Sequence, residues 1–326
     1  MKYPNDTDPQ TRHLDAVVDG MRIHWVEMGD ANASVPIVLL HGINDSHLSW
    51  RRIAPLLARH RRVIMPDLPG CGLSERPDAS YTLAWHAAII TSWLRLLGIE
   101  QADVVGHSFG GGVAQMLLLE HPRRIRRLAL VAPGGLGRDV DFWLRLATVP
   151  HVVERFGQPF MALGTRLALR RACALFSDDE IAQRCAMNAL DGSARAFART
   201  VSDVIDWRGQ SRLFMQRAHE AGVLPPIAVY FGERDVLIPA AQGAAFAQSL
   251  VGVVFRQFAG CGHYLHHEQP DAFVSALCEF LDIAYAPAAR LRAAPTPNTA
   301  TPAPRLRQAW DAMFGAVVPD APRAAA

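Results

Sequence analysis

The pentapeptide Gly106-His107-Ser108-Phe109-Gly110 stands between a short apolar run, DVVGHS (103–108), and a helical stretch, VAQMLLLEHP (113–122), that Pro122 stops. A serine on so sharp a strand-to-helix turn has a strained backbone. Any side chain two residues to either side would collide, which is why glycines flank it. The turn lifts the hydroxyl above a sheet and aims the N-terminus of the next helix at the same spot. A chain carrying this unit needs a sheet whose strands feed helices.

The other apolar runs meet that need. VPIVLL (35–40) stops at His41-Gly42, and RRVIMPDLPGCGLS (61–74) ends in a Gly/Pro loop. LALVAP (128–133), PIAVYFGERD (226–235) and VVFRQFAGCGH (253–263) repeat the pattern. Between them, LAWHAAIITSWLRLLG (83–98) follows a Thr82 cap and closes at Gly98. LDAVVDGMRIHWVEMGD (14–30) alternates polar and apolar residues about Asp19-Gly20, a strong hairpin signal. The expected class is α/β, a mostly parallel central sheet with helices on both faces, led by an antiparallel hairpin.

From Pro133 to Pro226 the chain spends about ninety residues, far more than an ordinary crossover needs. Stretches such as FMALGTRLALRRACALF (160–176) and SARAFARTVSDVIDW (193–207) mark a helical insertion at 136–221, after the sixth strand. The expected domains are a first core part (1–135), the insertion (136–221), a second core part (222–285), and a Pro/Ala-rich linker with a short amphipathic tail (286–326). In the tail Leu306, Trp310, Met313, Phe314 and Val317 share one helical face. So short a helix needs something to pack on: its own surface, a second copy in a homo-oligomer, or an apolar surface such as a membrane.

Composition removes several classes. With 33 Lys and Arg against 31 Asp and Glu, the net charge of +2 leaves no footprint for nucleic acid. Five scattered cysteines without a CxxC argue against a disulfide scaffold or structural zinc. No apolar run approaches the ~18 residues of a membrane span, and the N-terminus lacks a secretory h-region. A cytoplasmic protein is expected. Lys2 is the only lysine in an arginine-rich chain, which reads as a GC-rich bacterial coding sequence.

Serine is a poor nucleophile at neutral pH and needs a base. His263 follows the last strand in Gly260-Cys261-Gly262-His263. A histidine base needs a carboxylate to fix its tautomer, and Asp235 ends the preceding strand. The order Ser108, Asp235, His263 puts all three at carboxyl ends of strands, where open α/β sheets bind ligands. A developing oxyanion calls for backbone donors, and the amides of Phe109 and Ile43 are the candidates. Asp139 and Asp141, after the sixth strand, rival Asp235. His266, His267 and Glu268 have metal-ligand chemistry, but they read as the rim of a loop entering the last helix, so no metal and no cofactor are expected. Asp67 reads as a loop stabiliser, and Cys71 and Cys261 as inert thiols. Phe142, Trp143, Phe160, Met161 and Leu163 suit either an apolar pocket or packing between insertion helices.

HGIND, DLPGCGLS, GHSFGG, GERDVLIP and GCGHYLHHEQP follow one another in the order of the α/β-hydrolase superfamily. Over about residues 14–284 the chain resembles that family's serine-nucleophile, esterase- and lipase-like members with a helical cap. The resemblance implies Ser108 as nucleophile, Asp235 as orienting acid, His263 as base, and Ile43 and Phe109 as oxyanion amides. It makes the insertion the cap and implies hydrolysis of a small acyl substrate, a carboxylic ester, without a cofactor. Haloalkane dehalogenases and epoxide hydrolases have aspartate where this chain has Ser108. Carbon–carbon bond hydrolases of aromatic degradation often have tryptophan where this chain has Tyr264. A C–C hydrolase of a dienoic diketone, an acyltransferase, and a triad-bearing receptor with little turnover stay open as alternatives.

Overall fold

Asp19 and Gly20 take left-handed backbones, φ 46° and 81°, and fold β1 (Arg12–Val18) back on β2 (Met21–Met28) as an antiparallel pair. The computed structural model describes residues 11–31, 35–148 and 151–285. After the hairpin come β3 (Ile37–Leu40), α1 (Ala54–Ala58), β4 (Val63–Pro66), α2 (Leu83–Leu96), β5 (Ala102–His107), α3 (Phe109–Glu120) and β6 (Ile125–Val131). The long connection holds α4 (Phe142–Leu146), α5 (Val152–Phe156), α6 (Met161–Ala172), α7 (Asp178–Asn188), α8 (Ser193–Val204) and a ribbon of β7 (Ile205–Asp206) and β8 (Gly209–Gln210). The chain then adds β9 (Ile227–Gly232), α9 (Ala241–Ser249), β10 (Val254–Phe258), α10 (Leu265–Glu268) and α11 (Pro270–Leu281).

The main sheet has eight strands in the order β1-β2-β4-β3-β5-β6-β9-β10. Only β1 with β2 and β2 with β4 pair antiparallel; from β4 to β10 every pair is parallel. Helices cover both faces, so the inner strands read as unbroken apolar runs: Ile37, Val38, Leu39 and Leu40 are all fully buried. Thr82 caps α2 by accepting the Trp85 amide at 3.1 Å. All described elements belong to one compact unit, Met1–Pro287; the expectations for the linker and tail lie outside the described residues.

Differences from the sequence reading fall in the long connection. The helix expected over 160–176 ends at Ala172, and the one over 193–207 ends at Val204, where the ribbon begins. Between them α7 starts on a capping box, Ser177 accepting the Glu180 amide and Glu180 accepting that of Ser177. Among the described residues no helix is long and apolar enough to cross a membrane.

Candidate active site

Ser108 joins β5 to α3 with φ 52° and ψ −117°, a strained conformation for a side chain other than glycine's. Neighbouring backbone holds it there: the Ser108 amide donates to the Val131 carbonyl at 2.9 Å, and its own carbonyl accepts from Gly134 at 3.1 Å. The flanking glycines are sterically required. A Cβ on Gly106 would lie 2.5 Å from the Gly110 carbonyl oxygen, and one on Gly110 would overlap the Leu40 and His41 carbonyls. Phe109 opens α3, so its amide is one of the four that have no acceptor within the helix.

Asp235 and His263 come together from two loops at the same sheet edge. The end of β9 packs against the His263 loop so closely that a Cβ on Gly232 would overlap the Gly262 carbonyl. His263 Nδ1 donates to Asp235 Oδ2 at 2.8 Å, and both side chains are essentially buried. Asp235 Oδ1 accepts the amides of Leu237 (2.8 Å) and Ile238 (3.0 Å). Burial would raise the Asp235 pKa, but His263 and these two amides outweigh it and hold the carboxyl below its ordinary value. With Nδ1 carrying its hydrogen, His263 Nε2 is the basic nitrogen. Asp139 is exposed, and Asp141 is spent capping α4 at Trp143 and pairing with Arg171. Among the described residues neither carboxylate bonds a histidine.

The loop after β3 brings Ile43 to Ser108. His41 is buried and neutral in its hydrogen bonding: Nε2 accepts the Leu68 amide at 2.9 Å, and Nδ1 donates to the Gly42 carbonyl at 2.8 Å. A Cβ on Gly42 would lie 3.1 Å from His107 Nδ1 and 3.3 Å from Ser108 Cβ, so the loop runs hard against the serine turn. Ile43, Ser108 and Phe109 together line one cavity of about 390 Å³. Leu144 also faces it, whereas Phe142, Trp143, Phe160 and Leu163 are exposed and Met161 is buried elsewhere.

Four residues that the sequence reading left without a role tie these loops together. His107 Nε2 donates to the His263 carbonyl at 3.0 Å, and the two rings lie 4.8 Å apart. Burial first, and then His263, push His107 down to about 3, so it serves as a neutral strut. Asp45 accepts from Arg184 Nε (2.9 Å) and the Ser46 amide (2.9 Å) on Oδ1, and from the Tyr264 hydroxyl (3.1 Å) on Oδ2. Arg184 also lies over the Phe176 ring, 4.6 Å from its centroid. Burial would raise the Asp45 pKa, but Arg184 and His41 bring it below the usual carboxylate value. One carboxylate thus joins the Ile43 loop, the residue after His263, and α7. The Asn188 amide adds a bond to the Asn44 carbonyl at 2.6 Å.

His266 and His267 are not on a rim. Both are fully buried, His266 packing tilted on Trp50 (4.6 Å) and edge-on against His107 (4.7 Å) and bonding Ser49. Burial holds His266 well below its ordinary pKa and lowers His267 to about 4. Aromatic neighbours from distant parts of the chain have enclosed a stretch that looks polar in sequence. Cys71 and Cys261 are pushed up to about 11 by burial, as befits inert thiols.

Asp67 holds the 68–74 loop. Its carboxylate accepts the amides of His47 (2.7 Å) and Leu73 (2.8 Å) and faces His24 Nδ1 (2.9 Å) and His47 Nδ1 (3.0 Å). Among the described residues this trio of His24, His47 and Asp67 is also the grouping whose ligand atoms could converge on a metal ion, all within 4.8 Å. In the geometry seen here, both imidazoles point those atoms at the carboxylate itself.

The sequence pattern of the alpha/beta hydrolase fold matches residues 35–270. An uncharacterised protein of Mycobacterium tuberculosis is 31% identical over 262 residues, which cover 77% of this chain and 76% of that one. The 2-hydroxymuconate semialdehyde hydrolase of Pseudomonas sp. (strain CF600) is 31% identical over 257 residues, covering 77% of this chain and 88% of its own. Among solved structures, Cfl2 from Burkholderia cenocepacia superimposes with a TM-score of 0.72 at 28% identity, covering 83% of this chain and 96% of its own. With this fold, this serine turn and these likenesses, the chain belongs to the α/β-hydrolase family.

Proposed function

We propose that this hydrolase cleaves a carboxylic ester or related acyl compound through an acyl-enzyme on Ser108. The observation that carries the reading is the pairing of two arrangements. Ser108 stands on a strained turn beside a cavity shared with Ile43 and Phe109, and His263 is held by a buried Asp235 with its Nε2 left as the base. His263 takes the Ser108 proton as the oxygen attacks the carbonyl. The Ile43 and Phe109 amides receive the oxyanion, and Asp235 stabilises the imidazolium. The imidazolium protonates the leaving alkoxide, and a water activated by the same ring then releases the acid. The segment 136–221 acts as the cap, a role supported by Val140, Leu144, Val204 and Phe214, which supply part of the cavity wall.

A second reading, hydrolysis of a C–C bond, is favoured by the likeness to the 2-hydroxymuconate semialdehyde hydrolase. A muconate-type substrate brings a carboxylate, which needs a cation. The two arginines on the cavity wall are already committed, Arg212 to Asp203 and Arg217 to Glu220, and this favours the ester. The test compares a small p-nitrophenyl ester with a dienoic diketone and labels the protein with a fluorophosphonate. Ser108→Ala should abolish labelling and lower ester hydrolysis by at least roughly a thousandfold. Undiminished labelling would show a different nucleophile, and turnover of the diketone alone would establish the second reading.

A further inference from the structure

The cavity does not stop above the sheet. Its lining descends along one side of α3, through Phe109, Gly112, Met116 and Leu119, residues spaced three and four apart on a single helical face. Leu83 at the start of α2 and Phe214 in the segment before β9 also line it. From Ser108 to Leu119 the helix rises about 16 Å, so the lined face runs about that far along α3 from the serine. Gly112 packs directly on Leu83, since a Cβ there would lie 3.2 Å from Leu83 Cδ2, so at this point the lining has no slack for a larger residue.

This stretch of the lining offers little to a polar guest. The Gln115 side chain donates to the Gly134 carbonyl, and Gln210 accepts from Gly135 and donates to Asp139. Arg212 is held by Asp203 and Arg217 by Glu220. Most of the lining surface that remains is apolar carbon, and the Arg217 guanidinium also touches Met116 Sδ at 3.4 Å.

We infer that the cavity along α3 is an acyl-chain channel, and that the substrate is an ester of a straight-chain acid of about eight to twelve carbons, its carbonyl at Ser108 and its ω-end toward Leu119. A staggered chain advances roughly 1.3 Å per methylene, so about twelve carbons fill the length. The ester part rests on the function proposed above; the chain site itself rests on the lining alone. Burying each methylene should raise kcat/KM about fourfold until the channel is full.

The experiment measures kcat/KM on p-nitrophenyl esters from acetate to tetradecanoate for the full chain and for Met116→Trp, Leu119→Ala and Leu163→Ala. The wild type should peak between octanoate and dodecanoate. Met116→Trp should lower the decanoate-to-butyrate ratio at least tenfold, Leu119→Ala should move the peak to longer chains, and Leu163→Ala, outside the cavity, should not move it. A peak at acetate, or an unchanged ratio in a folded Met116→Trp, would overturn the channel. Should Met116→Trp fail to fold, calorimetric titration of Ser108→Ala with methyl octanoate and methyl butyrate decides: at least thirtyfold tighter octanoate supports the site, and equal affinity overturns it. Graded binding without hydrolysis of any ester would remove the proposed reaction and leave the chain site standing. Hydrolysis without chain dependence would do the reverse.

Discussion

Arg184→Met is the substitution whose consequences the structure defines best. It keeps most of the apolar stem and removes the guanidinium from a pair in which both side chains are only 1% exposed. Asp45 would keep the Ser46 amide and the Tyr264 hydroxyl but lose its buried cation. Breaking such a pair costs about 3–5 kcal/mol, because the remaining charge stays buried without compensation. The cation–π contact with Phe176 is lost as well. For a chain of this size, with roughly 2 °C per kcal/mol, the melting temperature should fall by about 6–10 °C. Asp45→Asn, which strands Arg184 instead, should cost a similar amount. The double variant should then be clearly less destabilised than the sum, with a coupling of about 2 kcal/mol or more.

The pH dependence has a definite sign. Asp45 is depressed in the folded protein, so its contribution is complete above the ordinary Asp value of about 4 and is lost as pH falls through the lower folded value. In Arg184→Met, burial is left to raise the Asp45 pKa, so the gap between wild type and variant should be widest near neutral pH and narrow as pH falls through the variant's raised value toward the wild type's depressed one. Thermal and denaturant unfolding at three pH values would measure it. A loss below about 1 kcal/mol, or strict additivity in the double variant, would refute the view that this pair carries buried, uncompensated charge. Since the same loop bears Ile43, kcat on a small ester should also fall about tenfold, more than KM rises.

Other expectations are simpler to check. Asp235→Asn should lower kcat by about 10⁴-fold, because asparagine cannot stabilise the imidazolium, whereas Asp139→Asn, exposed and apart from any histidine, should stay within about twofold of wild type; steady-state kinetics on one ester separates them. Asp67→Ala removes the acceptor for two backbone amides and two imidazoles at a fully buried position, and should lower stability by about 3–5 kcal/mol in a denaturant melt. Truncation after Tyr285 should leave hydrolysis of a small ester nearly intact, since every candidate site residue lies between Ile43 and His263; loss of activity in a folded truncated protein would reassign the tail to the site.

Features with a local cause were legible in the sequence. Asp19-Gly20 needs positive φ, Thr82 sits where α2 has an orphan amide, and the glycines around Ser108 fit no other turn. Ser177 and Glu180 carry an equally local signature, the Ser-x-x-Glu of a capping box, inside a stretch whose pattern is otherwise only generally helical. The strut and the carboxylate hub had no such signature. His107 looks like the variable position of the pentapeptide until the His263 carbonyl is placed beside it. Asp45 and Arg184 are 139 residues apart, and no periodicity relates them. The neighbouring histidines 266 and 267 gave the opposite impression to their true burial, because the rings that enclose them, Trp50, His107 and Phe176, come from other elements.

Asp45 also sets a timetable. Its two side-chain donors are made 139 and 219 residues after it. At about 5–20 residues per second on the ribosome, Tyr264 appears roughly ten to forty seconds after Asp45. Throughout that interval the carboxylate keeps its water, since losing it unpaired would cost several kcal/mol, and the Ile43 loop stays unclosed. Assembly of the site is thereby postponed until the segment just before α11 has been made, and a chain that stalls in the 136–221 segment carries Ser108 on a finished turn but no oxyanion loop locked beside it.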